Sequence, residues 1–158
     1  MSGPPEQIEV TQAQTEDEVD KINSFFNKKT IKQELHRFTY KTTLDRAFER
    51  DDRRLYYVKK EGEIVGALMV WCESKVLADN EAQIRLVAVD SSYRRKGLAK
   101  RLCETAEEFA TQWGMEKMSA DVARDSPALN FWKLCGYNIE YEWETDGGRG
   151  MSRVAKSI

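Results

Sequence analysis

Ile84–Ala99 reads IRLVAVDSSYRRKGLA. An apolar strand runs into a short turn, and a cationic, glycine-bearing loop then opens a helix. Such a loop aims backbone N–H groups at an anion, and the helix after Gly97 adds the positive end of its dipole. Arg94, Arg95 and Lys96 place three cations where phosphates would sit. The stretch is neither a GxxxxGK[ST] loop nor a dinucleotide GxGxxG turn. It predicts a cradle for a phosphorylated ligand.

Upstream, the alternation of Ile8 to Gln14 predicts an edge strand. Thr15 and Glu18 frame a capping box before Val19, Ile22, Phe25 and Phe26, which follow at helical spacing. A second, more polar helix is expected from about Ile31 to Arg50, with Leu35, Phe38, Leu44, Ala47 and Phe48 as its apolar positions. Leu55–Lys59 and Ile64–Cys72 predict a hairpin around Lys60-Glu61-Gly62-Glu63. Ala82–Val89 is apolar on both faces except at Arg85, which predicts a central strand.

Downstream, Leu98 to Trp113 forms the clearest amphipathic helix, and Gly114 is its stop. Met115 to Ala123 alternates as a strand, and Ser126-Pro127 caps a further helix that Gly136 ends. Tyr137–Trp143 and Met151–Ala155 predict two last strands joined by a turn at Asp146 to Gly150. The order is βααβββαβαββ, a mixed α/β (α+β) fold with a mostly antiparallel sheet flanked by helices. Met1–Gln7 is expected to be a flexible tail and residues 8–158 a single domain.

A chain of 158 residues can bury one sizeable core. Its net charge of −2 argues against broad nucleic-acid binding, while local basic clusters can still grip a small anion. No apolar run approaches the roughly 18 residues of a bilayer span, so no membrane role is expected. MSGPPEQIEV lacks the charged-then-apolar layout of a signal peptide, and Cys72, Cys103 and Cys135 suit reduced core thiols. Both features predict a cytoplasmic protein. A single histidine, His36, excludes a multi-histidine metal centre, and no metal is expected.

The element order, together with VAVDSSYRRKGLAKRL (Val87–Leu102), resembles the GNAT superfamily of N-acetyltransferases. The family's loop motif, Gln or Arg, two residues, Gly, one residue, then Gly or Ala, is matched by Arg94-Arg95-Lys96-Gly97-Leu98-Ala99. A second family pattern, Ala-x-x-Phe-Tyr-x-x-x-Gly-Phe, is matched from Ala128 to Tyr137, with Trp132 in the place of its tyrosine and Tyr137 in the place of its last phenylalanine. The resemblance covers nearly the whole chain.

It implies that acetyl-CoA, the cosubstrate, lies in a cleft where two parallel strands, Ala82–Val89 and Met115–Ala123, splay apart. Backbone groups of Val87, Ala88 and Val89 are then expected to pair with the pantetheine arm as an added strand would. N–H groups from Arg95, Lys96, Gly97, Leu98 and Ala99 are expected at the pyrophosphate, with Arg94, Arg95, Lys96 and Lys100 as further cations. Asn130 and Trp132 are placed beside the cofactor by the same resemblance.

The implied chemistry is attack of a neutral amine on a thioester. A lysine-like amine has an ordinary pKa of about 10.4, so a base or a water chain must take its proton. Candidate bases are Glu73, Asp121 and Glu81. The oxyanion donor expected from the family is the Val89 N–H. An indole N–H cannot protonate a leaving thiolate as the family's tyrosine does, so Tyr137, Tyr141 or a water takes that role, or the enzyme works without an acid.

Arg85 is a charge inside the central strand. It suits either an acidic substrate or, preferably, a salt bridge across the sheet to a carboxylate such as Asp121. The acceptor side is expected to be bordered by Ile31–Arg54 and Glu73–Glu81, whose mixed charges single out no acceptor, so either an amine-bearing small molecule or a protein or peptide is expected. The family's habit of dimerising makes the last strand and Trp143 a candidate homodimer face. Two alternatives stand beside this reading: a non-catalytic acyl-CoA-binding or regulatory module, and a toxin-like enzyme acetylating aminoacyl-tRNA.

Overall fold

Glu61 and Gly62 both turn left-handed, at φ 53° and 81°. Two such residues give a tight hairpin the twist that its strands require. The hairpin joins β2 (Arg53–Lys60) to β3 (Glu63–Trp71) in a computed structural model that describes residues 8–158. The predicted tail, Met1–Gln7, lies outside the described residues.

Around this hairpin a seven-stranded sheet is ordered β1-β2-β3-β4-β5-β7-β6. Its other strands are β1 (Thr11–Gln12), β4 (Glu81–Val89), β5 (Lys117–Ala123), β6 (Asn138–Glu144) and β7 (Gly150–Ser157). Neighbours are antiparallel except β4 and β5, which run parallel. The mixed, mostly antiparallel sheet expected from the sequence is therefore present. The edge strand expected over Ile8 to Gln14 is shorter, because only Thr11 and Gln12 pair with β2.

One face of the sheet is covered by α1 (Glu16–Phe26), α2 (Lys29–Leu35) and α3 (Lys41–Glu49). Val19, Ile22, Phe25, Phe26, Ile31 and Leu44 pack there on Leu55, Ala67, Met69 and Leu86. Full burial of such side chains contributes about 1.5–3 kcal/mol each. Thr15 caps α1 by accepting the Glu18 N–H at 3.2 Å, and Glu18 accepts in return from the Gln14 N–H at 3.2 Å. The opposite face carries α4 (Leu98–Gln112) and α5 (Ala128–Leu134), with Leu102, Ala106, Trp132 and Tyr137 against Leu68, Ile84 and Met118.

The single helix expected over about Ile31 to Arg50 is two helices. His36 turns left-handed at φ 56° and ends α2. Beyond it the chain is pinned extended: the Thr39 N–H donates to Asn27 Oδ1 at 2.8 Å, and the amides of Asn27 and Asn23 donate to the Thr39 carbonyl at 2.8 and 3.1 Å. These bonds from α1 take up the backbone groups that a continuous helix would need.

Candidate active site

β4 and β5 share only three rungs, Glu81↔Lys117, Ala82↔Met118 and Gln83↔Ser119. Beyond them β4 continues on β3 and β5 continues on β7, so a gap opens toward the C-terminal ends of both strands. The cause is local. Met69 pairs with Leu86 and Val70 with Ile84, which leaves Arg85 as an extra residue in β4. A bulge of this kind increases twist and bends its strand, here away from β5.

The phase of β4 decides which backbone groups face the gap. The Asp90 N–H donates to the Val65 carbonyl on β3 at 2.8 Å. Alternation then turns the N–H groups of Val87 and Val89 toward the gap and those of Ala88 toward β3. Ala88, expected among the pantetheine contacts, therefore has its backbone groups in the β3 ladder.

At the mouth of the gap, Asp90 accepts the Ser92 N–H at 3.0 Å and starts a single 3₁₀ turn, Ser91–Tyr93. Arg95 and Gly97 follow in the left-handed region, at φ 62° and 81°. Gly97 is the N-cap of α4 and offers no side chain to its first turn. The first N–H of that turn to bond within the helix is that of Arg101, to the Gly97 carbonyl at 3.0 Å. The N–H groups of Leu98, Ala99 and Lys100 thus project from a helix terminus, a partial positive charge without a cap.

The side chains around the loop divide. Arg95, Lys96 and Lys100 are exposed, Lys96 over the Tyr93 ring at 5.4 Å. Arg94 turns away, with Nη2 on Glu34 of α2 and Nε donating to the Val89 carbonyl at 3.3 Å. It braces the loop against the helical layer, so it does not lie over the uncapped N–H groups.

On the α1–α3 face, the rung at the closed end of the gap runs Arg53↔Trp71↔Gln83↔Ser119 across four strands. Directly opposed residues share a face, so these four line up. The Gln83 amide donates to Ser119 Oγ at 3.2 Å, Ser119 donates to Glu81, and Arg85 Nη1 donates to Gln83 Oε1. Asp121 lies two residues beyond Ser119 and is held by Arg153 through two bonds, Nε to Oδ1 at 2.7 Å and Nη2 to Oδ2 at 3.0 Å. The expected Arg85–Asp121 salt bridge is absent among the described residues, because Arg153 of β7 takes that carboxylate. Glu81 is buried, with Ser119 and Arg153 as its partners.

The two segments expected to border the acceptor converge. Arg50 and Arg53 face Glu73, Lys75, Leu77 and Asp79 across a groove of about 720 Å³. Glu73 itself lies past the closed end of the gap, beyond the Trp71↔Gln83 rung, and accepts from Trp113 Nε1 at 3.2 Å. Its position separates it from the open cleft. Of the three carboxylates considered as bases, Asp121 is the one that lies along the gap.

Tyr137 is also elsewhere. It is 1% exposed in the core under α4, and its hydroxyl donates to Glu107 Oε2 at 2.8 Å. Burial, with Glu107 beside it, pushes its pKa far above the ordinary tyrosine value. Trp132 is 4% exposed and packs edge-on against the Tyr137 ring at 4.8 Å, while Asn130 is exposed on α5. Among the described residues no cluster of metal-ligating side chains occurs, and no helix is long and apolar enough to cross a membrane.

The sequence reading missed the Arg53–Trp71 stack, the Gln83–Ser119 bond and Arg153. Their signal was the polar Gln83, Arg85 and Ser119 inside otherwise apolar strands. Pairing partners could not be read, since they depend on which strands become neighbours.

Comparison with known proteins finds the same fold. The GNAT domain of S. lividans PAT superposes with a TM-score of 0.76 at 17% identity, covering 96% of this chain and 90% of that one. An acetyltransferase of the GNAT family from Streptococcus pneumoniae gives 0.73 at 16%, covering 96% and 100%. An aminoglycoside 6′-N-acetyltransferase complexed with coenzyme A gives 0.75 at 12%, covering 94% and 96%. No curated protein matches the chain in sequence. The sequence profile described as the Acetyltransferase (GNAT) family matches residues 19–137, most of the chain, and the chain belongs to that family.

Proposed function

We propose that the protein transfers the acetyl group of acetyl-CoA to a primary amine by direct attack within a ternary complex. The observation that carries this reading is the gap beyond Gln83↔Ser119, which opens onto the uncapped N-terminus of α4. The pantetheine arm lies along β4 and meets the N–H group of Val87, as an added strand would. The pyrophosphate sits on the N–H groups of 95–99, which the left-handed Arg95 and Gly97 curl into a nest. Arg95, Lys96 and Lys100 screen its charge. The same fold holds coenzyme A in the aminoglycoside 6′-N-acetyltransferase structure.

The acceptor enters from the α1–α3 face. Asp121 receives the amine proton, directly or through water, and the Val89 N–H donates to the developing oxyanion. The departing thiolate resembles a cysteine, with an ordinary pKa of about 8.5, so water can protonate it after the C–S bond breaks. Neither Tyr137 nor Trp132 is needed as an acid.

Calorimetric titration of acetyl-CoA and of CoA, with Gly97→Glu as control, tests the cradle. Micromolar binding lost in Gly97→Glu is the expected result, because a side chain at φ 81° is strained and a carboxylate repels phosphate. Thiol release with an amine panel then tests transfer. No binding of either compound by the wild type would overturn the proposal.

A further inference from the structure

Three arginines converge on the acceptor face with no carboxylate of their own. The Arg53 guanidinium lies 3.7 Å from the centre of the Trp71 ring, and that of Arg85 lies 4.4 Å from it. Arg37, on the α2–α3 connection, is close enough to Arg85 to act on its charge. Among the described residues none of the three forms an ion pair. Of the nearby carboxylates, Asp52 is engaged by Arg50 at 2.7 Å, and Asp121 and Glu81 by Arg153. Glu73 and Asp79 line the far side of the groove from Arg53, and Glu73 accepts from Trp113.

The cluster is rich in donors and short of acceptors. Among the described residues Arg53 Nε and Trp71 Nε1 are both buried with no hydrogen-bond acceptor. Arg85 Nη1 donates to the neutral Gln83 amide oxygen. Burial, and then the charge of Arg50, lowers the Arg53 pKa, with Asp52 opposing; burial also lowers that of Arg85, with Asp121 opposing and Arg37 and Arg153 adding to the effect. Arg53 and Arg85 are half-buried and Arg37 is exposed. Two unpaired, half-buried guanidinium groups this close together are costly without an anion between them.

Position gives this charge a purpose. Arg53 and Trp71 lie on the rung where the gap closes, and Arg85 is the bulge residue just inside it. Guanidinium groups stacked on an indole keep their planar N–H forks available to a carboxylate. Across the gap stands Asp121, held through both its oxygens by Arg153.

We propose that Arg85 and Arg53, stacked on Trp71 and supported by Arg37, bind a carboxylate on the acceptor, so that the preferred acceptors are amino-acid-like amines. This specificity assignment rests on the acetyl-transfer reading of the same cleft. Arg85 and Arg53 are positioning residues for the acceptor and take no part in proton transfer.

The test uses amines matched with and without a carboxylate: L-lysine against cadaverine, and L-leucine against isoamylamine. Each is titrated into protein saturated with CoA, and each is assayed by thiol release with acetyl-CoA. O-phosphoethanolamine against β-alanine compares phosphate with carboxylate. The carboxylated member of each pair is expected to bind and react about tenfold better or more, mainly through KM. Arg85→Gln should bring that ratio close to one, and Arg85→Lys should recover part of it, since lysine keeps the charge and loses the fork.

Equal binding of the paired amines by the wild type, binding of neither, a ratio that survives Arg85→Gln, or a preference for the phosphate would each overturn the assignment. Carboxylate-selective binding without thiol release would support the anion site and sink the transfer reading. Thiol release that ignores the carboxylate would do the reverse.

Discussion

The Tyr137 hydroxyl donates to Glu107 Oε2 at 2.8 Å, and Lys156 Nζ meets Oε1 of the same carboxylate at 2.9 Å. This triad joins the start of β6 to α4 and β7, at the paired end of β5. Tyr137→Phe is expected to cost about 1.5–3 kcal/mol of stability, the range for a hydrogen bond to a charged group. Turnover should be essentially unchanged, against the ~100-fold or larger loss that follows removal of a general acid. Urea denaturation and steady-state kinetics on the same variant separate the two.

Trp132 belongs to the same packing. Its ring fills the space between α5 and Tyr137, so Trp132→Ala should destabilise the fold by about 3–5 kcal/mol. Trp132→Tyr should bring no gain in turnover, because Trp132 is buried against Tyr137 in the core. A large gain would reinstate the idea of a lost catalytic tyrosine.

Glu73 and Asp121 were equal candidates as sequence, and position sets them apart. Glu73→Gln should leave turnover unchanged, since that carboxylate bonds Trp113 past the closed end of the gap. Asp121→Asn should lower kcat by about 100-fold, the contribution of a positioned base. Thiol-release rates for both variants, measured at saturating acetyl-CoA, decide between them.

Alkaline pH should weaken the fold in a defined window. Burial pushes Tyr56, Tyr57 and Cys72 up to about 12, with the Tyr57 hydrogen bond to Glu18 adding to its shift. In the unfolded chain the same groups lose protons near their ordinary values, about 10 for tyrosine and about 8.5 for cysteine. The folded state binds more protons between these limits, so its stability is complete below about pH 8 and falls as pH rises toward 12. Urea midpoints taken from pH 8 to 11 should decline, and Cys72→Ala should remove the earliest part of that decline.

The strands and the loop were legible because local chemistry decides them. The Glu61-Gly62 turn, the stripe of α4 and the cationic run before Gly97 each carry their signal within a few residues. The break at His36 was hidden because its cause is remote: Asn23 and Asn27 of α1 hold Thr39 across the turn. The partner of Arg85 was misjudged for the same reason. Asp121 lies across the gap from it, but β7 delivers Arg153 to that carboxylate first, and a pairing between distant strands is not written in either strand.

In β4, residues 81–83 carry the join to β5 and residues 86–89 form the edge beside the gap, while residue 85 pairs on neither side. Because residue 85 carries no rung to either neighbour, a change of its charge should leave the pairing of both flanks in register. The strand's geometry and the charge it shows to the acceptor face are thus set by different residues.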